Sequence, residues 1–207
     1  RTGIAQEKAV RAINLLALAD ANKVPLFEAP GLLSGLVEVL RTRTGIAQEK
    51  AAFAIAELAC AGANRVPLVE APGLLSGLVE VLRTRTGIAQ EEAVITIQLL
   101  ASVDANQVPL FEAPGLLSGL VEVLQNGTAR AQGVAVLAIS NLASVGANRV
   151  PLFEAPGLLS GLVEVLQNGD AYAQQYAADA IAELASVDAN QVPLFEAPGL
   201  LSGLVEV

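Results

Sequence analysis

Hydrophobic and polar positions along this chain repeat every 42 residues. The segment VPLFEAPGLLSGLVEVL begins at Val24 and returns, almost unchanged, at Val66, Val108, Val150 and Val192. Self-similarity at a fixed period of this length is typical of solenoid proteins, in which each repeat is one supersecondary unit. The sequence is therefore interpreted as five copies of one unit.

The second copy shows how each unit divides into helices. Ala47–Ala61 contains no Gly or Pro and is rich in Ala, Glu and Leu, which predicts a long helix. Asn64 is predicted to cap a short helix that has Pro67 in its first turn and ends near Pro72–Gly73. Apolar residues at helical spacing predict a supporting helix over Leu74–Leu82. Every copy is thus expected to form three helices, and the chain is expected to contain no β-sheet.

No single copy can bury its apolar faces alone, so neighbouring copies have to stack and share one core. We expect an all-α fold in which residues 1–207 form a single repeat domain. The predicted units are 1–40, 41–82, 83–124, 125–166 and 167–207. Because Arg1 already lies inside a repeat and no initiator Met precedes it, we expect a trimmed array that lacks capping repeats. Its uncapped apolar ends then favour association between copies of the chain.

The unit resembles the armadillo (ARM) repeat over the whole chain. The resemblance rests on N-R-x-x-x-x-E-A-x-G-x-L-x-x-L-V-E-x-L from Asn64 to Leu82 and on A-A-F-A-I-A-E-L-A at Ala51–Ala59. Ser76 departs from the family pattern, which usually has Pro there, whereas Pro72 lies four residues earlier. The pattern favours the armadillo repeat over the related HEAT repeat. The resemblance implies a right-handed α-solenoid whose long helices line a concave groove that binds extended peptides.

The five copies differ mainly on the long helix. The most variable positions are those of Ile4, Lys8, Arg11, Leu15 and Leu18 in the first copy. Their spacing of four and three residues places them on one side of a helix. The fixed positions are those of Ala9, Ile13, Leu16 and Ala17, which are predicted to point toward the core.

Stacking places the variable positions of successive copies in adjacent rows. The outermost row is Ile4, Ile46, Ile88, Arg130 and Tyr172. The predicted binding surface, called the long-helix face below, consists of Lys8, Arg11, Leu15, Lys50, Phe53, Glu57, Glu92, Ile95, Leu99, Val134, Leu137, Asn141, Tyr172, Tyr176, Asp179 and Glu183. Drift at solvent-facing positions predicts mostly polar residues, but many of these are apolar. Because contiguous exposed apolar surface usually marks a binding site, we expect a protein or peptide partner.

The resemblance also argues against one kind of ligand. Importin-alpha-like groove proteins carry a Trp and an Asn on each long helix, and the Asn side chain holds the peptide backbone. The corresponding Trp positions here are Arg11, Phe53, Ile95, Leu137 and Asp179, and the Asn positions are Leu15, Glu57, Leu99, Asn141 and Glu183. Only Asn141 is retained, so binding of nuclear localisation peptides by this route is not expected.

Composition argues against catalysis. The chain has no His, and a single cysteine, Cys60, cannot form an internal disulfide or a cysteine metal cluster. Neither Glu57 nor Glu183 has a second carboxylate at a catalytic spacing. The five recurrent serines, such as Ser76, are interpreted as small residues that, with the glycine that follows each of them, allow helices to approach. We therefore expect no enzyme activity, no metal and no cofactor.

Charge and hydropathy restrict the partners further. The net charge of −9 divides into +2 for residues 1–85 and −11 for residues 86–207. An acidic chain is a poor nucleic-acid binder, because neutralisation of phosphates supplies most of that affinity. No apolar run reaches membrane-spanning length, so neither a nucleic acid nor a membrane is an expected partner. Arg41, Arg43, Arg83 and Arg85 form a possible basic strip, with plain solvation of loops as the simpler interpretation.

Three functional interpretations remain open at this stage. The chain is a natural protein-interaction module, cytoplasmic in that case; an engineered or consensus-derived repeat scaffold without a native partner; or a structural unit that assembles end to end. Near-identity of the copies favours the second. The charge difference between the two halves favours head-to-tail contacts in the third.

Overall fold

The computed structural model describes residues 3–84 and 86–206. Within these residues the chain forms fifteen α-helices and no β-strand. The long helices are α1 (Gly3–Ala17), α4 (Ile46–Cys60), α7 (Ile88–Ala101), α10 (Ala129–Ala143) and α13 (Ala171–Ala185). The short helices are α2 (Asp20–Glu28), α5 (Gly62–Glu70), α8 (Asp104–Glu112), α11 (Gly146–Phe153) and α14 (Asp188–Phe195). The supporting helices are α3 (Leu32–Thr42), α6 (Leu74–Thr84), α9 (Leu116–Asn126), α12 (Leu158–Asn168) and α15 (Leu200–Glu206).

Helices of the same kind stack on one another along the chain. Each long helix packs against the next long helix, and each supporting helix packs against the next supporting helix and the next long helix. The shared core is fully buried at the fixed long-helix positions of the second copy, such as Ile55 and Leu58, and at supporting-helix residues Leu78 and Leu82. The predicted all-α solenoid is confirmed.

The first long helix differs from the others in burial. Ala17 is fully buried, but Leu16 keeps 52% of its surface exposed and Ala9 is also exposed. The equivalent residues of the second copy, Leu58 and Ala51, are completely buried. The positions of Ala9 and Leu16 therefore belong to the core only where the helices of a preceding copy cover them, whereas that of Ala17 is buried in the first copy as well.

A glycine in each of the supporting helices α6, α9, α12 and α15 lies against the preceding supporting helix. A Cβ atom on Gly161 would lie 3.0 Å from Cβ of Leu124, so a larger residue there would have to displace its neighbour. Ser76, by contrast, is exposed, and its hydroxyl donates to the Gly73 carbonyl in its own helix turn. The prediction of close helix approach is confirmed for the glycine that follows the serine in α6, α9, α12 and α15.

Asn64 has a different role from the predicted one. The short helix α5 begins at Gly62, so Asn64 lies inside it and Pro67 follows well after its first turn. The side-chain amide of Asn64 donates to the carbonyls of Leu58 at 2.9 Å and Lys23 at 3.1 Å. Asn64 therefore links α5 to α4 and to α2 of the preceding copy, and it gives the Leu58 carbonyl a second donor beside the Ala61 amide, which donates to it at 3.3 Å.

The Asn64→Ala variant tests this role. We expect the free energy of unfolding to fall by about 1–3 kcal/mol, because two buried hydrogen bonds between helices are lost. Asn22→Ala is the matched control, since Asn22 is only half-buried and donates to a single carbonyl, that of Leu16. Urea unfolding followed by circular dichroism measures both, and an equal loss in the two variants would contradict the assignment.

Candidate functional site

The structure places every residue of the long-helix face at the surface. Lys8, Arg11, Leu15, Tyr172 and Asp179 are exposed, and the other eleven residues are half-buried. Within the half-buried set, the side chains of Leu99, Val134 and Tyr176 also pack against the core, whereas those of Phe53, Ile95 and Leu137 do not belong to that cluster. The face is thus a mixed apolar and charged surface, and Leu99, Val134 and Tyr176 connect it to the core.

Part of this face forms a cavity between α10 and α13. A cavity of about 300 Å³ opens there, lined by Ala129, Arg130, Gly133, Val134, Leu137, Asp170, Tyr172 and Ala173. Gly133 contributes to the space because it has no side chain, and a Cβ atom in its place would lie 3.4 Å from Cβ of Ala173. The tyrosine at the rim, Tyr172, is 66% exposed.

Tyr172, which lines this cavity, contacts Tyr176 on the next turn of α13. The rings of Tyr172 and Tyr176 meet edge to face, with centroids 5.0 Å apart and an interplanar angle of 71°. The hydroxyl of Tyr176 donates to that of Tyr172 at 3.3 Å. Edge-to-face contact is the favoured arrangement of aromatic pairs, and it holds the Tyr172 ring beside the cavity opening.

Two carboxylates of the face, those of Glu57 and Glu183, form ion pairs with residues that sequence patterns did not single out. Glu57 pairs with Lys23 at 3.1 Å, and Lys23, which is 6% exposed, also pairs with Asp20 at 2.9 Å. The pKa of Lys23 lies above its ordinary value, and the hydrogen bond to Asp20 is the largest cause. Glu183 forms a short ion pair with Arg149. These two acids are therefore already compensated by cations of the preceding short helices.

The cations share one position, directly after the fixed Asn of each short helix. That position carries Lys23, Arg65, Gln107, Arg149 and Gln191. Its side chain reaches the long helix of the next copy: Arg65 donates to the Ser102 hydroxyl at 2.9 Å, and the amide oxygen of Gln107 accepts from Ser144 at 3.2 Å. The two partners are 37 residues apart in both pairs. A comparison of residues at this separation in successive repeats would have revealed the position from the sequence.

Arg65 differs from the other two cations at this position. The long-helix residue opposite Arg65 is Leu99. The equivalent residues opposite Lys23 and Arg149 are the acids Glu57 and Glu183. Within residues 3–84 and 86–206, Arg65 forms no ion pair and donates instead to Ser102 and to backbone carbonyls. Whether an ion pair forms between neighbouring copies therefore depends on whether the long helix carries an acid at this position.

Glu92 occupies the centre of the face and is half-buried. Its burial raises the pKa of the carboxyl above the ordinary glutamate value, although the nearby Arg130 guanidinium opposes this. Arg130 lies 3.7 Å from Glu91, which also accepts a hydrogen bond from Thr128 at 2.6 Å. The centre of the face thus carries a carboxyl that is partly removed from solvent.

Other predicted sites acquire no chemistry from the fold. In the described part of the chain no group of three or more His, Cys, Asp or Glu side chains forms a cluster suited to a metal ion. None of the helices there combines the length and the apolar character needed to cross a membrane. Arg41, Arg43 and Arg83 are exposed, and Arg85 lies outside the described residues. Cys60 is at the surface, but desolvation raises the pKa of its thiol, which disfavours a reactive thiolate.

Comparison with known proteins decides the family. No protein-family model and no curated protein matches the sequence. Among solved structures, the designed armadillo repeat protein YIII(Dq.V1)4CPAF in complex with peptide (KR)4 is 34% identical over 96% of this chain and 83% of that chain, with a TM-score of 0.82. The designed armadillo repeat protein YIII(Dq)4CqI is 31% identical over 97% and 84% of the two chains, with the same TM-score of 0.82. The chain belongs to the armadillo repeat family.

Two further solved structures agree on the fold. A structure described as computationally designed armadillo repeat proteins for modular peptide recognition is 30% identical, covers 99% of this chain and 86% of that one, and has a TM-score of 0.87. UNC-45 from Drosophila melanogaster, at 15% identity, matches 99% of this chain and 26% of its own length with a TM-score of 0.74. The latter likeness shows the helical solenoid alone.

A double-mutant cycle tests the neutralisation of Glu57. With Lys23→Met and Glu57→Gln, we expect a coupling of about 0.5–2 kcal/mol in the free energy of unfolding, because Lys23 is buried and Glu57 half-buried. The matched control cycle combines Arg65→Met with Leu99→Gln. Arg65 and Leu99 occupy the positions of Lys23 and Glu57 one copy later, but they form no ion pair with each other. Coupling of equal size in both cycles would contradict an electrostatic origin.

Proposed function

We propose that this chain is a non-catalytic armadillo scaffold that binds an extended peptide, or a peptide segment of a protein, along the long-helix face. The observation that carries the proposal is the division between fixed and varied positions. Fixed residues such as Ile55 and Leu78 are fully buried, whereas every varied residue of the face reaches the surface. Recognition can therefore change along the face while the core stays the same.

The apolar character of the face supports a binding role. Phe53, Ile95 and Leu137 reach the surface of three successive long helices. Side chains of this kind at the surface are a cost to solubility unless a partner covers them. The designed armadillo neighbour solved with peptide (KR)4 supports a peptide as the class of ligand.

Engineered origin is the second part of the proposal. The string that begins at Val24 is kept nearly letter for letter in five copies. The chain is at least 30% identical to several designed armadillo repeat proteins over more than four fifths of their length. We infer a designed or consensus-derived scaffold, in which a repeated frame presents a diversified surface.

Changes at the face should weaken binding more than stability. We expect Ile95→Ser combined with Leu137→Ser to reduce affinity for a peptide selected from a random display library by about tenfold or more, because buried apolar contact is lost. The melting temperature should fall far less than in Leu78→Ala, where removal of a core side chain costs about 2–5 kcal/mol.

Isothermal titration and thermal melts measure the two effects. The matched control is Val66→Ser combined with Val108→Ser, which removes exposed apolar side chains from the short helices. If the control loses as much affinity as the face variant, or if the face variant unfolds, the long-helix face is not the ligand site.

End-to-end association of copies is the second candidate, favoured by apolar exposure on the outer helices. Leu16 on α1 is 52% exposed, Phe195 on α14 is 68% exposed and Val205 on α15 is 85% exposed. Apolar area removed from water contributes about 25 cal/mol per Å², so contact between two such surfaces favours association. This candidate concerns the ends of the stack and leaves the long-helix face free.

Light scattering across a range of protein concentrations tests the second candidate. We expect the mean mass of the chain to rise with concentration and to return toward that of the monomer in Leu16→Lys combined with Val205→Lys. Leu15→Lys with Tyr172→Lys is the control, because it places the same charges on exposed residues of the long-helix face. A monomeric mass at all concentrations would rule out association through the ends.

A further inference from the structure

We propose that the long-helix face takes an extended peptide with acidic residues over α1 and α4 and an aromatic anchor side chain in the cavity between α10 and α13. This inference rests on the proposed peptide-binding function and gives the ligand its chemistry and its register. It is argued from the uncompensated charges of the face, from the cavity and from the spacing of the helices.

The α1 and α4 end of the face carries uncompensated positive charge. Lys8 and Arg11 are exposed, and Lys50 is half-buried in the position of Lys8 one copy later. In the part of the chain that the structure describes, none of the three forms an ion pair. Glu57, the acid of this region of the face, is already held by Lys23. Carboxylates of a ligand are therefore the complementary groups here.

Helix α7, which follows α4 in the stack, disfavours acidic ligand residues and so confines them to the part of the face over α1 and α4. Glu92 on α7 occupies the position that Lys50 has on α4, and its burial disfavours the charged form. A ligand carboxylate beside it would raise the cost of that buried charge further. Ile95 and Leu99 lie on the same helix and are half-buried, so the ligand segment over α7 should be neutral.

The cavity between α10 and α13 suits an aromatic side chain. Its volume of about 300 Å³ exceeds the space of about 150 Å³ that is enough to hold a benzene ring in a protein interior. Val134 and Leu137 line it, and the exposed Tyr172 ring provides an aromatic partner for edge or offset stacking. The carboxylate of Asp170 is occupied, because it accepts the Ala173 amide hydrogen bond at 2.8 Å that caps α13.

Arg130 favours an aromatic anchor over an aliphatic one. Its side chain lines the cavity and is 65% exposed, with Glu91 at 3.7 Å as its only ion-pair partner among the described residues. A guanidinium stacks on an aromatic face more favourably than on an aliphatic chain. The anchor side chain would therefore lie between the Tyr172 ring and the exposed Arg130 guanidinium, against the apolar side chains of Val134 and Leu137.

Helix spacing sets the distance between the two ends of the ligand. Packed helices lie about 8–10 Å apart, and the cavity is about two and a half spacings from α4, which gives about 20–25 Å. An extended chain advances about 3.3 Å per residue, so about six to eight residues separate the acidic group from the anchor. The equivalent positions of Lys50, Glu92, Val134 and Tyr176 provide a path that crosses the helices at one level.

Fluorescence anisotropy with synthetic peptides tests the proposal. The probe carries a cluster of glutamates, a neutral spacer of about seven residues and one phenylalanine, and it is made in both chain directions. A scrambled peptide, a peptide with Ala in place of the phenylalanine and peptide (KR)4 are the comparison ligands. Randomised display selection on the same protein is run in parallel.

The protein variants separate the two ends of the site. Lys8→Glu with Arg11→Glu reverses the basic end, and its matched control is Arg43→Glu with Arg83→Glu, which makes the same change in charge on exposed residues away from the face. Tyr172→Ala removes the exposed ring at the cavity, and Gly133→Leu fills the cavity. Tyr172→Ala keeps the test valid if Gly133→Leu disturbs the packing of α10 on α13.

We expect the probe to bind in at least one chain direction. Loss of the phenylalanine, Tyr172→Ala and Gly133→Leu should each weaken binding by about tenfold. Reversal of Lys8 and Arg11 should weaken it by at least about tenfold and reduce its salt dependence, while the Arg43 and Arg83 control stays within about twofold.

The outcomes distinguish this inference from the function on which it rests. Equal binding of the scrambled peptide, or tighter binding of peptide (KR)4, would overturn the acidic and aromatic register while peptide binding itself stands. Selected peptides that bind this face without an acidic cluster and an aromatic residue at the stated spacing would do the same. If neither the designed peptides nor the display selection yields a ligand, the proposed function fails together with the inference.

Discussion

Burial of apolar surface between neighbouring copies is the constraint on which this structure depends. Each three-helix unit has long and supporting helices that are apolar on the sides facing the units before and after it, and those surfaces cannot be covered within the unit. The contrast between Leu16, half exposed on the first long helix, and Leu58, fully buried in the second copy, shows that the same residue type becomes core only through its neighbour. Close approach at Gly161 and Leu124 makes that contact tight.

Polar side chains complete the contact between copies where the helices end. Asn64 supplies donors to carbonyls of α4 and of α2 in the preceding copy, and Gln48 donates to the Leu40 carbonyl at 2.8 Å across the junction between α3 and α4. A buried carbonyl without a donor costs more than a hydrogen bond gains. The bond from Asn64 to the Lys23 carbonyl of the preceding copy therefore favours one stacking register, because a shifted copy would lose it.

The same register decides which charges remain available to a ligand. A cation directly after the fixed Asn reaches the long helix of the following copy, so an acid there, such as Glu57 or Glu183, is compensated by Lys23 or Arg149. Where the long helix carries Leu99 instead, Arg65 forms no ion pair in the described part of the chain. Charge on the long-helix face is thus a property of pairs of copies, and single substitutions on the short helices should alter recognition.

The sequence by itself determined the helices, their order and the division between fixed and varied positions, because helix propensity, Gly and Pro breaks and apolar spacing are local and were repeated five times. It also placed the long-helix face on one side of each helix through the regular turn of the α-helix. It gave Asn64 the wrong role, since local rules see a capping residue where the donor serves two other helices. Only the tertiary structure showed the pairing of Lys23 with Glu57, the raised pKa of Glu92 and the cavity beside Tyr172, because each arises between copies that are distant along the chain.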